Sequence, residues 1–128
     1  RPEFSMVTGV STGALSAPFA FLGPDYDDKL KQVYTETTTL DIAEKLNPFE
    51  IATGDSMTDT APLKRLIARY ITEEVVAKIA VEHQRGRRLF IGTVNLDAGR
   101  SVIWNIGAIA SSDYPEKLQL IRELLRAS

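Results

Sequence analysis

Phe4-Ser5-Met6-Val7-Thr8-Gly9-Val10-Ser11-Thr12-Gly13-Ala14-Leu15 is an apolar run, then Gly-x-Ser-x-Gly, then small residues compatible with a helix. The order predicts a strand over Phe4 to Thr8, a tight turn carrying Ser11, and a helix from about Thr12, which is the setting of a nucleophile elbow. Gly9 and Gly13 flank the serine because backbone approaches closely on both sides, where a Cβ is expected to clash. The serine hydroxyl then stands at the carboxyl end of a strand. The unpaired N–H groups of the helix lie beside it, and Thr12 N–H is the natural oxyanion donor. The motif alone arises by chance in roughly a few per cent of chains this long. Its place between a strand pattern and a helix pattern raises its weight.

Composition narrows the classes of function. The chain has 128 residues, 44% hydrophobic and 25% charged, enough for one domain with a buried core. Fifteen basic residues against seventeen acidic leave a net charge of −2, which gives no argument for a nucleic-acid partner. The absence of cysteine excludes disulfides, thiolate metal sites and a cysteine nucleophile, and a single histidine excludes a multi-histidine metal site. No metal and no cofactor is expected. The sequence opens on Arg1-Pro2-Glu3 without Met or signal peptide, which suggests a segment of something longer. No apolar run is long enough for a membrane span.

Along the chain, Thr12 to Leu22 is nearly apolar all round and predicts a buried helix stopped by Gly23-Pro24, with Pro18 kinking it or ending it near Ala17. Asp25 is the expected cap of an amphipathic helix through Leu30, Val33 and Tyr34. A polar break over Thr35 to Thr39 follows, then a short helix over Leu40 to Leu46. Phe49 to Thr60 has no period and reads as a connecting loop rather than a lid. Asp59 or Thr60 then caps a helix with Leu63, Leu66, Ile67, Tyr70 and Ile71 on one face, and Thr72 caps another with Val75, Val76, Ile79, Ala80 and His83 on a stripe, closed by Gly86. Arg88 to Leu96 and Ser101 to Ile106 are strands joined by Asp97-Ala98-Gly99-Arg100. A loop that short demands an antiparallel hairpin. Gly107 to Ala110 is a small-residue segment, and Asp113 with Pro115 starts a last helix through Leu118, Ile121, Leu124 and Leu125.

The polar residues outside the elbow each have a sufficient structural explanation. His83 is the one possible histidine partner for a serine, yet it shares a stripe with apolar residues and reads as structural. Arg85, Arg87 and Arg88 are the ordinary complement of a helix carboxyl end, with lipid phosphate as the lesser alternative. Asp97 and Arg100 belong to a hairpin, Trp104 to the core, and Asp41, Asp55, Asp59 and Asp113 to caps or loops. Spacing assigns no second catalytic residue.

Phe4 through Phe21, with Gly9-Val10-Ser11-Thr12-Gly13-Ala14-Leu15, resembles the patatin-like phospholipase family. Arg88-Leu89-Phe90-Ile91-Gly92-Thr93-Val94-Asn95-Leu96-Asp97-Ala98-Gly99-Arg100 is similar to that family's central strand and hairpin, Val102 to Gly107 to the following segment of bacterial members, and Arg122 to Ser128 to the helix leading into its Ala-Ser-x-Ala-x-Pro segment. The resemblance covers essentially the whole chain. It implies a three-layer α/β/α fold with a mostly parallel sheet plus an antiparallel hairpin. It also implies hydrolysis of lipid acyl esters by a Ser–Asp dyad, with Ser11 as nucleophile and Gly9, Thr12 and Gly13 shaping the elbow. The family's glycine-rich oxyanion loop and its Asp-Gly motif have no counterpart here, since the chain contains no Asp-Gly pair. These 128 residues therefore read as a partial, inactive catalytic domain whose catalytic Asp lies elsewhere. Its expected partners are a lipid or acyl ester, peripheral contact with a membrane, and other copies of itself through exposed edges. Two rival readings are a Ser–His acyltransferase using the same elbow and a non-catalytic lipid- or protein-binding module.

Overall fold

The computed structural model describes residues 4–10, 13–45, 61–95 and 99–128. Three strands form one sheet: β1 (Met6–Val10), β2 (Arg88–Asn95) and β3 (Arg100–Asn105), in the order β1-β2-β3. β1 runs parallel to β2 with Met6 opposite Arg88 and Val10 opposite Gly92, and β3 runs antiparallel to β2 with Phe90 opposite Asn105. The mixed sheet and hairpin are as the short connection requires. Gly99 at φ +63° supplies a left-handed backbone where the hairpin enters β3. Asp97 and Ala98 lie outside the described residues, as do Leu96 and the Phe49 to Thr60 segment with Asp55, Asp59 and Thr60.

The helices are α1 (Gly13–Leu22), α2 (Asp27–Lys45), α3 (Ala61–Tyr70), α4 (Glu73–Gln84), α5 (Ile106–Ser111) and α6 (Lys117–Ala127), with a 3₁₀ turn at Pro24–Tyr26 before α2. Alternation along the strands sorts the sheet into two unlike faces. Leu89 and Ile91 of β2 are fully buried against the helices and Thr93 is buried beside them, with the Trp104 indole N–H donating to Thr93 Oγ1 at 2.9 Å. On the opposite face Met6, Val10 and Ile103 are 59%, 60% and 64% exposed. Among the described residues the architecture is thus mixed α/β in two layers, helices on one face and the other face bare. Among the described residues no third layer covers that face, and β1, expected inside a parallel sheet, is an edge strand.

Two helices run through residues that sequence rules treat as breaks. α1 does not end at Ala17 but continues past Pro18 to Leu22, because Ala14, Leu15, Ala17, Pro18, Phe19 and Phe21 are all buried. Burial of that many apolar side chains, at roughly 1.5–3 kcal/mol for each large one, outweighs about 3 kcal/mol for an internal proline. α2 is a single 19-residue helix through the threonines at 35–39. Thr37 is buried one turn beyond Val33, which is fully buried, and Leu40 packs against the same core, so the helix has a burying face where only polar residues were apparent. Thr39 Oγ1 donates back to Thr35 O at 2.9 Å, and Arg69 of α3 reaches Glu36 Oε1 at 3.3 Å. Tyr34, expected on the buried stripe, is 66% exposed. Asp25 sits in the 3₁₀ turn and not at a helix cap, while Asp27 and Asp28 lie in the first turn of α2, where they complement its dipole.

The second half of the helical layer follows its sequence signals more closely. On α3, Leu66, Ile67, Tyr70 and the following Ile71 are buried. Thr72 Oγ1 accepts the Val75 N–H at 3.3 Å and so caps α4, which Gly86 closes at φ +95°. The segment from Gly107 to Ala110 is part of a helix, capped where Asn105 Oδ1 accepts the Ala108 N–H at 3.0 Å. α6 starts at Lys117, four residues after Asp113, which is exposed and caps nothing; the Tyr114 N–H is taken by Ser112 Oγ. Arg122 of α6 donates to Ile71 O at 2.9 Å and Ala68 O at 3.3 Å, tying the end of α3 to α6.

Arg87 joins the helical layer to the sheet. Its side chain is 9% exposed, its Nε donates to Phe4 O at 2.7 Å, its Nη1 pairs with Glu82 at 3.0 Å, and its guanidinium lies 4.6 Å from the Phe21 ring centroid. The neighbouring Arg85 meets the same Glu82 at 2.9 Å with its side chain 58% exposed. Removing one partner of a buried pair leaves an uncompensated charge, whereas a surface pair contributes little. Arg87→Ala should therefore lower unfolding stability by about 3 kcal/mol and Arg85→Ala by less than about 1 kcal/mol, measured by urea titration. Equal effects would show that Arg87 does not anchor the β1 entry to the core.

Candidate functional site

The carboxyl end of β1 is where sequence placed the chemistry. The described part of β1 runs to Val10 and that of α1 starts at Gly13, with Ser11 and Thr12 between them in sequence. Those two lie outside the described residues. What surrounds them is defined: a strand paired in parallel with β2 on one side and the first turn of a buried helix on the other.

Gly9 holds the two together. A Cβ placed on it would lie 2.7 Å from Gly13 O, 2.8 Å from Ala17 Cβ and 3.0 Å from Ala14 Cα, so helix backbone rests directly on strand backbone. The close approach expected at this glycine is present, and Ala17 is the unforeseen partner in it. Gly13 differs. It is exposed, and a Cβ built there meets nothing within 4 Å, so the expected clash does not occur. Its small size is not required by space among the described residues. Gly9→Ala should therefore cost about 1–3 kcal/mol through overpacking, and Gly13→Ala should leave stability unchanged or raised by up to about 1 kcal/mol, as read from chemical denaturation of the two variants. A Gly9→Ala protein as stable as the parent would mean that α1 is not seated in this way.

His83 lies at the other end of the sheet. Its ring packs against Gly107, where a Cβ would come within 2.6 Å of Nδ1, and Arg88 Nη1 donates to His83 O at 3.1 Å and lies 3.4 Å from Nδ1. Arg88 stands opposite Met6, four residues before Val10 along β1, a separation of about 13 Å at 3.3 Å per residue. The structure therefore gives His83 a packing role near the amino end of β1. Burial, and then the positive charge of Arg88, pull its pKa below the ordinary histidine value of 6.5. Because the folded chain holds this ring neutral more strongly than the unfolded chain does, the contribution is complete above 6.5 and fades as pH falls below it. Stability should accordingly decline on acidification below about 6.5, and His83→Gln should flatten that part of the profile in thermal melts taken across pH. An unchanged slope in the variant would assign the acid sensitivity to carboxylates.

The remaining candidates resolve into structural roles. Arg85, Arg87 and Arg88 face Glu82, Phe4 O, His83 O and Arg87 O, so protein groups occupy them where lipid phosphate had been the alternative. Trp104 is half-buried on the helical face of the sheet, as a core residue should be. Among the described residues no three His, Cys, Asp or Glu side chains converge as metal ligands, and no helix is long and apolar enough to cross a membrane. Comparison with protein-family models, with curated proteins and with solved structures finds no match to this chain.

Proposed function

We propose that Ser11 is the nucleophile of an acyl-ester hydrolase acting on lipid esters, patatin-like in its elbow and of the Ser–Asp type. The observation that carries the reading is the close contact at Gly9, which lets the backbone of α1 rest on the strand that leads into the Ser11 segment. A helix seated in this way on the parallel strand that precedes it directs its unpaired N–H groups and positive dipole end toward the segment between them, where an oxyanion is stabilised. In this reading Thr12 N–H donates to the oxyanion, while Gly9 and Gly13 shape the turn. The three-layer α/β/α architecture belongs to the same reading, the bare sheet face being where its third layer would rest.

The base is assigned to no residue of this chain. Asp97 precedes Ala98-Gly99 in the hairpin and does not match the Asp-Gly pattern the family implies. The Ser–His alternative is disfavoured by the place of His83, beside Arg88 at the amino end of β1. A serine hydroxyl without a base has essentially no nucleophilicity at neutral pH. The isolated 128-residue chain should then turn over a chromogenic short-chain ester no faster than its Ser11→Ala variant. Turnover lost in that variant would show that the base is supplied from within these residues and would overturn the incomplete-site reading.

A further inference from the structure

A cleft between α2 and α3 has apolar walls and an unpaired cation at its rim. It encloses about 300 Å³, at the lower end of the range for clefts that hold small molecules, whereas gaps between well-packed helices seldom exceed a water molecule. Leu40, Pro62 and Leu66 supply the apolar lining. Its polar groups are Glu36, Thr39, Arg65 and Arg69, and three of these four are engaged within the chain. Arg69 Nη1 donates to Glu36 Oε1 at 3.3 Å, and Thr39 Oγ1 donates to Thr35 O at 2.9 Å. Arg65 is different. It is exposed, and among the described residues it meets no carboxylate and no other acceptor. It stands one turn before Arg69 on the same side of α3, where like charges repel, and Glu36 pairs with Arg69.

Each feature constrains what the cleft can hold. An unpaired guanidinium selects a negative charge, and its planar fork matches the two oxygens of a carboxylate. The apolar side chains select an alkyl group, whose burial is favourable in proportion to its area. Among the described residues no aromatic side chain lines the cleft, so a ring or base finds no platform to stack on. We propose that this cleft binds a carboxylate carrying a short alkyl chain, with the carboxylate on Arg65 and the chain over Leu40, Pro62 and Leu66. The smaller cleft between α3 and α6, about 80 Å³, already contains a carboxylate of the chain itself: Glu123 accepts from Arg126 at 2.7 Å and from Gln119 at 2.9 Å. The α2–α3 cleft is thus the one of the two with a cation left for a ligand. The proposal is independent of any chemistry at Ser11.

Titration of the 128-residue chain with sodium hexanoate, followed by backbone amide chemical shifts, tests it. The shifts should saturate with a dissociation constant on the order of 10⁻³ M and centre on residues 36–40 and 62–69. Hexan-1-ol, which has the chain without the charge, should bind about fivefold more weakly, and acetate, which has the charge without the chain, should not bind measurably. Arg65→Gln should weaken hexanoate about fivefold and leave hexan-1-ol unchanged, whereas Arg126→Gln, which removes the same charge outside the cleft, should change neither. Thr39→Trp, at an exposed position on the rim, should fill the cleft and abolish binding of both, with urea titration showing each variant folded. The proposal is overturned by an absence of saturable shifts, by shifts centred elsewhere, by equal effects of Arg65→Gln and Arg126→Gln, or by hexan-1-ol binding as tightly as hexanoate.

Discussion

The contact of α1 on β1 at Gly9 is the constraint on which the rest of the arrangement depends. Helix and strand cannot approach this closely over any side chain with a Cβ, because Gly13 O and Ala17 Cβ already occupy the space. Seating α1 so low brings Phe19 and Phe21 into full burial, and Phe19 then meets Tyr26 and Tyr70 with ring centroids 6.2 Å and 6.3 Å away. Those rings link α1 to the turn before α2 and to α3. The same seat lies directly beside the segment that carries Ser11 in the sequence.

From that seat the core grows to one side of the sheet. β2 is its centre, with Leu89 and Ile91 fully buried beneath helices that also contribute Val33, Ile79, Ile106 and Ile121. Arg87 extends this core to the start of β1 through Phe4 O and the face of Phe21, which lets a short edge strand stay fixed although most of its side chains are exposed. Among the described residues the opposite face receives none of this cover. Its strands carry no acidic residue.

The parts legible in sequence were those set by local rules. A four-residue link can join only antiparallel neighbours, Thr72 and Gly86 mark the ends of α4 by capping chemistry, and the spacing of Leu66, Ile67, Tyr70 and Ile71 can bury only as a helix face. The parts that escaped were decided by tertiary contacts. Thr37 became a core residue because Val33 and Leu40 share its side of α2, and Pro18 stayed inside α1 because both its neighbours are buried. Ile106 to Ser111 mixes small residues with no clear period, and its helix depends on the Asn105 cap and on His83 packed against Gly107. The exposure of β1 depends on what does not cover it, which a strand's own sequence cannot encode. At the candidate site, Gly9 was legible as a close approach, whereas Ala17 as its counterpart was not, since a buried alanine has no sequence signature.

The central claim is that the Gly-x-Ser-x-Gly segment around Ser11 is a nucleophile elbow rather than an ordinary turn. An elbow throws its serine forward by holding it in a strained conformation, which for a residue other than glycine means a positive φ maintained by its surroundings. The direct measurement is the backbone φ of Ser11 in a crystal structure of the protein. A value between +20° and +160° is what the seat of α1 on Gly9 predicts. An extended or right-handed helical φ at Ser11 would contradict it, leaving the Gly-x-Ser-x-Gly segment as a turn without chemistry.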